Sequence, residues 1–215
     1  MILQRRKLLL GMAGIITASS STLAGALLTT PRQTAGPFYP PLLPLDDDND
    51  LTRVAGQSRQ ASGIISDLTG RILDINGQPL PGMRIEIWQC DANGRYRHPA
   101  ENSSKDLDSN FQGHGFSMTD RQGRYRFRTI RPVKYPGRTP HIHVAVFAPG
   151  ETPFVTQLYV KDDPGNVEDF LFRRVPVERR HLVLAEFKTD HTSAVELKAS
   201  FDIVLDRVDG TPQQS

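Results

Sequence analysis

From residue 63 onward the chain is cut into short pieces by turn residues. Asn76-Gly77, Pro79 to Gly82, Asn93-Gly94 and Asp120 to Gly123 are turn signals. Between them, apolar and polar residues alternate at 83–89, 125–129, 141–147, 155–160 and 197–205. A period of two marks a half-buried strand. Helical periodicity is scarce, and residues 177–184 allow one short helix at most. The pattern predicts an all-β fold, an antiparallel β-sandwich with long irregular loops and little helix. The 215 residues allow one core, or two small ones. A hydrophobic fraction of 38%, with 10 Phe, is enough to fill it. The single Cys excludes an intrachain disulfide and a Cys-rich metal site.

The two ends read differently. Residues 1–26 contain no Asp or Glu. Arg5-Arg6-Lys7 leads into an apolar run over 8–16, then Ser19-Ser20-Ser21 and Ala24-Gly25-Ala26. Basic, apolar and small residues in that order predict a signal peptide, and the Arg pair points to the twin-arginine type. The expectation is an exported protein, periplasmic or otherwise extracytoplasmic, with no stable membrane insertion once the segment is removed. Residues 27–62 carry Pro31, Pro37, Pro40, Pro41 and Pro44 and are predicted to form an extended arm, since Pro blocks helices and central strands. The sandwich is predicted over 63–208 and a flexible tail over 209–215. The formal charge is +2. Without Arg5, Arg6 and Lys7, 23 basic residues face 24 acidic ones, a net of −1. A nucleic-acid binder normally shows a basic surplus, so no nucleic-acid partner is expected.

His141-Ile142-His143 sits inside a strand pattern, so both imidazoles share one face. Such a pair can chelate a transition metal. A surface pair has the same spacing. Tyr135 precedes Pro136-Gly137 in the loop that ends at the His pair. That stretch reaches at most about 20 Å, so closure onto one ion is feasible. Phenolate is a hard anionic donor, better suited to Fe(III) than to Zn(II), and a bound ion lowers the phenol pKa. Tyr96 follows the Asn93-Gly94-Arg95 turn, whereas Tyr125 alternates with Phe127 and reads as core. Spacing alone leaves open whether Tyr96 and Tyr135 ligate or pack. His98 and His114 read as pocket-lining or surface, His181 and His191 as surface, and Cys90 as a packing residue.

A series of motifs resembles the intradiol ring-cleavage dioxygenases, especially the protocatechuate 3,4-dioxygenase type. They are Thr34-Ala35-Gly36-Pro37-Phe38-Tyr39, Ile85-Glu86-Ile87-Trp88-Gln89, Asn93-Gly94-Arg95-Tyr96-Arg97-His98 and Asn110-Phe111-Gln112-Gly113. Tyr125-Arg126-Phe127-Arg128-Thr129-Ile130-Arg131-Pro132, Tyr135-Pro136, Pro140-His141-Ile142-His143, Thr156-Gln157-Leu158-Tyr159 and Phe201-Asp202-Ile203-Val204-Leu205 follow in order. The resemblance implies one non-haem Fe(III) held by Tyr96, Tyr135, His141 and His143. Tyr96 and His143 would be the equatorial pair, and Tyr135 and His141 the axial pair, with Tyr135 leaving when substrate chelates. It implies that Arg138 stabilises negative charge on the substrate and that Gln157 lies near the substrate pocket. The implied reaction opens a catechol between its two hydroxyl-bearing carbons with incorporation of O2, giving a cis,cis-muconate.

The departures are as informative as the matches. Only five residues separate Tyr135 from His141, fewer than in well-studied relatives. The sequence shows no counterpart of the long N-terminal helical domain of catechol 1,2-dioxygenases, so the shorter type is the expected one. A chain that keeps all four ligands needs no second subunit type, so a homo-oligomer or a monomer is expected. The run from Gly70 to Asp74 and on through Pro79 to Gly82 also resembles prealbumin-like carrier domains, which leaves a non-catalytic binding module as the alternative. A zinc hydrolase built on His141 and His143 is a third reading, but it lacks an obvious carboxylate ligand.

Overall fold

The computed structural model describes residues 25–42, 46, 48–189 and 196–207. The expected signal segment up to residue 24, the expected tail and His191 lie outside the described residues. In chain order the strands are β1 (Ile65–Leu73), β2 (Arg84–Trp88), β3 (His114–Met118), β4 (Arg124–Ile130), β5 (His141–Phe147) and β6 (Phe154–Val160). A short helix α1 (Phe170–Arg174) and a 3-10 turn (Val177–Val183) come next. They are followed by β7 (Leu184–Ala185), β8 (Lys188–Thr189), β9 (Leu197–Ser200) and β10 (Ile203–Val204).

These strands make the two layers of a sandwich. In the first sheet β1 pairs with β4 in antiparallel register, from Ile65↔Ile130 to Arg71↔Arg124. Its other edge takes β9 and then β10, and β8 closes the sheet beyond β9. The second sheet has the order β3-β2-β5-β6-β7. Ile85, Ile87, Ile142, Val144, Val146 and Leu158 line its inner face and meet Leu68, Ile72, Tyr125 and Phe127 in one core.

The second sheet is buried on both faces. Period two sends Glu86, Trp88, His141, His143, Ala145, Gln157 and Tyr159 to the outer face. They are nonetheless buried, because irregular segments cover them. Ala35, Phe38 and Tyr39 of the arm pack there with Tyr96, Val133 and Tyr135 from the loops. Among its described residues before Asp48 the arm forms no strand. Single backbone bonds hold it: Leu27 N to Ile75 O (2.7 Å), Thr30 N to Val204 O (2.9 Å) and Gln33 N to Val155 O (2.8 Å). Strand register aligns the outer face into one row, His114↔Trp88↔His143↔Gln157, with His141↔Tyr159 alongside.

The all-β sandwich agrees with the sequence pattern, and three details go beyond it. The sheets are mixed, since β1 pairs in parallel with β9 and β10, and β6 with β7. The strand expected over 197–205 is interrupted at Phe201 and Asp202. There Phe201 N still bonds Thr69 O at 2.9 Å, but the Asp202 carboxylate accepts from Arg71 N at 2.8 Å and the Tyr125 hydroxyl donates to Phe201 O. β3 and α1 were not anticipated by the alternation.

Candidate metal centre

The His pair sits at the start of β5, and both rings are buried. Their Nε2 atoms face each other at 3.3 Å. His141 Nδ1 lies 2.6 Å from the Thr139 carbonyl. A carbonyl only accepts, so Nδ1 carries the proton and Nε2 offers its lone pair. Burial, followed by the nearby Arg138 charge, lowers the His141 ring to about 4. Burial, then His141 and Arg138, holds His143 well below its ordinary value. Both rings are therefore neutral donors near pH 7.

Two phenols complete the cluster. The turn before Tyr96 closes through Gly94 N to Asp91 O at 2.9 Å, and Tyr96 is 3% exposed. Its ring lies 5.4 Å from Tyr135 and 6.2 Å from His143. Its hydroxyl has no hydrogen-bond partner. Tyr135 is only half-buried and lies 5.5 Å from His141. It opens a tight turn, with Arg138 N bonded to Tyr135 O at 3.0 Å, and Gly137 supplies the required φ of +79°. Burial raises both phenols. At Tyr135 the adjacent Arg138 pulls the other way.

The donor set fits a hard trivalent cation. Two neutral imidazoles aim at one point, and a buried phenol oxygen beside them is otherwise unsatisfied, a costly arrangement without a partner. No group of three or more His, Cys, Asp or Glu able to hold a metal occurs among the described residues. Among the described residues the His pair has no such third ligand beside it, and the side chains that do adjoin it are the two phenols.

Arg138 and Gln157 flank the cluster. Sequence alone would also allow a surface charge at 138, but the Arg138 side chain is 7% exposed. Its Nε donates to Asp169 Oδ2 at 2.8 Å and its Nη2 to Gln157 Oε1 at 2.6 Å. Gln157 Nε2 in turn donates to Thr34 O at 3.0 Å, so this amide ties the arginine to the arm. An open cleft of about 890 Å³ adjoins the cluster, lined in part by Tyr135, Arg138, Thr139, Asp163 and Asp169. Of the four clustered side chains, Tyr135 is the one among its lining residues.

The remaining candidates are elsewhere. His98 accepts from Ala100 N at 3.0 Å and stays outside the cluster. His114 is buried, not a surface residue, and bonds Glu86 at 3.2 Å. His181 is exposed. Burial, then Asp91, pushes the Cys90 thiol up to about 12, consistent with packing. Sequence reasoning missed two neighbours. Trp88 stacks flat on His143, with centroids 4.9 Å apart and planes 7° apart. Its position on the face opposite Ile85 and Ile87 was legible, but its strand partner was not. Asp169 was visible only as a cap ahead of Phe170-Leu171-Phe172.

Comparison with known proteins identifies the family. A family model described as Dioxygenase (Dioxygenase_C) matches residues 34–207. The chain is 38% identical over 191 residues to the protocatechuate 3,4-dioxygenase beta chain of Burkholderia cepacia, covering 82% of this chain and 80% of that protein. It is 30% identical over 226 residues to catechol 1,2-dioxygenase of Acinetobacter baylyi, covering 86% of this chain but 65% of that longer protein. The dioxygenase domain of a dioxygenase–carbohydrate-binding protein fusion from Streptomyces sp. SirexAA-E superposes with a TM-score of 0.64 at 29% identity, over 84% of this chain and 99% of that one. None of these findings favours the non-catalytic carrier module. On the extent of the family match and the identity along most of its length, the chain belongs to the intradiol ring-cleavage dioxygenases, enzymes that use O2 to open an aromatic diol between its two hydroxyl-bearing carbons.

Proposed function

We propose that Tyr96, Tyr135, His141 and His143 hold one ferric ion and that the substrate is a catechol-type diol entering from the cleft beside Tyr135. The observation that carries this reading is the convergence of two phenols and two neutral imidazoles, with the Tyr96 hydroxyl buried and unpartnered. When bound, the ion supplies Lewis acidity, lowering the pKa of phenols and catechols beside it and drawing electron density from the ring.

The chain's own residues divide the remaining work. His141 and His143 stay neutral and keep their Nε2 lone pairs directed inward. Tyr96, beneath Phe38, is the permanent phenol. Tyr135 is the exchangeable one, because its ring is half-buried and its turn pivots on Gly137. With the ion bound it would be held as the phenolate, and that oxygen would take one proton from the incoming diol and become the neutral phenol. Arg138, fixed by Asp169 and Gln157, faces the negative charge that builds on the substrate. Trp88 and the arm keep water from the far side.

All four donors lie on this chain, so it works as a monomer or a homo-oligomer. The basic, apolar and small-residue order of residues 1–26 supports export, and cell fractionation tests that part separately. The relatives are named for protocatechuate and catechol, which makes those two diols the first substrates to try. The deciding experiment is metal analysis, visible absorption and O2 uptake on wild type and on Tyr135→Phe. The expected wild type contains iron, shows a phenolate charge-transfer band and consumes O2. The variant is expected to retain iron and to lose about 10²-fold in kcat. Colourless, iron-free wild type after expression with ample iron sinks the reading.

A further inference from the structure

Asp169 lies outside the four donors, yet its side chain is fully buried and accepts four hydrogen bonds. Oδ1 takes Leu171 N at 3.0 Å and Phe172 N at 2.9 Å, which pins the carboxylate to the start of α1. Oδ2 takes Arg138 Nε at 2.8 Å and Thr139 N at 3.0 Å. Thr139 is also held through its hydroxyl, which donates to Asn166 Oδ1 at 2.9 Å. Its carbonyl is the one that His141 Nδ1 meets at 2.6 Å.

We propose that Asp169 is a positioning residue that orients the Arg138 guanidinium directly and the His141 imidazole through the backbone of Thr139. The proposal rests on the functional reading above. A buried Arg–Asp pair alone is weak support for a functional role, since such pairs also occur as purely structural features. Here the same oxygen also holds the backbone N–H of Thr139, the residue whose carbonyl meets the ring. A guanidinium bonded at Nε to Asp169 and at Nη2 to Gln157 is fixed at two points, so its plane cannot swing on its flexible stem. An imidazole whose Nδ1 acceptor is held keeps both its tautomer and its direction. Loss of one carboxylate oxygen therefore disturbs both charge stabilisation and metal affinity, although the Asp169 side chain is itself fully buried.

The test is Asp169→Asn. Asn caps a helix about as well as Asp, so the start of α1 survives, but an amide nitrogen now faces two donors. Metal-free protein is titrated with Ga(III), a redox-inert trivalent ion, using the fluorescence of Trp88, the only Trp. Affinity is expected to fall about 10- to 100-fold. In steady state kcat is expected to fall about 10²-fold with KM little changed. In an Arg138→Gln background the same substitution should cost no further kcat yet still weaken Ga(III), because the two effects run through different bonds. Wild-type Ga(III) affinity in Asp169→Asn overturns the His141 half of the proposal, and wild-type kcat overturns the Arg138 half. Asp169→Ser, another capping residue, replaces the Asn variant should that one not fold. If neither folds, Arg138→Lys probes the contact from the other side. It should lose kcat with Ga(III) affinity retained, and an unchanged kcat overturns the arginine half. A wild type that binds neither iron nor Ga(III) and consumes no O2 with a diol fails the functional reading itself, before any variant is made.

Discussion

His141 and His143 lie two residues apart on one strand and turn the same ring atom toward each other, but the chain holds them by different means. On the His141 side the contacts are polar. Nδ1 meets a carbonyl, and the neighbouring arginine is locked by Asp169 and Gln157. That side borders the open cleft. On the His143 side the contacts are aromatic. Nδ1 has no partner, the ring lies flat on Trp88, and Tyr39 meets Trp88 edge-on at 5.0 Å. There the arm closes the surface. A Cβ at Gly36 would come within 3.3 Å of His143 Cε1, and φ at Gly36 is +69°, so only glycine fits comfortably. The difference teaches how one site can be both open and rigid. Directional bonds orient the groups that must face substrate, and packing seals the groups that need never move.

Removing Trp88 tests the packed half most severely. Trp88→Ala empties a position that is 1% exposed, and such truncations cost about 3–5 kcal/mol. Denaturant melts should show that loss together with weaker metal retention, because His143 Nδ1 has no hydrogen-bond partner to hold the ring. Trp88→Phe should recover most of both. Metal retention unaffected by Trp88→Ala would mean that His143 is oriented by something other than the stack.

Each half also contains one buried carboxylate. Asp169 serves the polar side, and Glu86 serves the aromatic one, accepting from Tyr39 at 2.8 Å, Arg84 at 2.7 Å and His114 at 3.2 Å. Burial alone would raise the Glu86 carboxyl, but these hydrogen bonds outweigh it and bring the pKa from 4.5 to about 2. A depressed carboxylate contributes stability that is complete above its unfolded pKa and is lost as pH falls through the folded value. Between pH 5 and pH 2, wild type should therefore lose up to about 3 kcal/mol more than Glu86→Gln. Parallel acid titration curves for the two proteins would deny Glu86 this role and weaken the view that the arm is anchored through Tyr39.

The two halves were not equally legible in the sequence. Alternation over 83–89 and 141–147 revealed the strands, put both His on one face and separated Trp88 from Ile85 and Ile87. A period of two says nothing about which strand lies next door, so the Trp88↔His143 register and the parallel pairs of β1 and β6 stayed hidden. β3 was missed because Gly113 and Gly115 flank His114 and read as loop. The break at Phe201 and Asp202 depends on Arg71 and Tyr125, far away in the chain. Asp169 carried a local capping signal, whereas its second oxygen is committed to residues some thirty positions earlier. Local chemistry was therefore readable, and long-range bonds were readable only where a family resemblance stood in for them.

The smallest effect separates scaffold from substrate handling within the arm itself. Phe38 stacks on Tyr96 at 4.7 Å and meets Tyr135 edge-on at 6.3 Å, so it touches one phenol from each half. It is half-buried, and an aromatic pair of this kind contributes about 1 kcal/mol. Phe38→Ala should lower Tm by about 2–4 °C. Its influence should also be lopsided. The stacked Tyr96 loses a full face of cover, while the edge-on Tyr135 loses little. Fluoride or azide added to the metal-loaded variant should therefore perturb the absorption attributable to Tyr96, identified by comparison with Tyr135→Phe, more than that of Tyr135. An equal perturbation of both would place Phe38 on the polar half as well, and the division between a sealed side and an open side would have to be drawn through the arm instead of beside it.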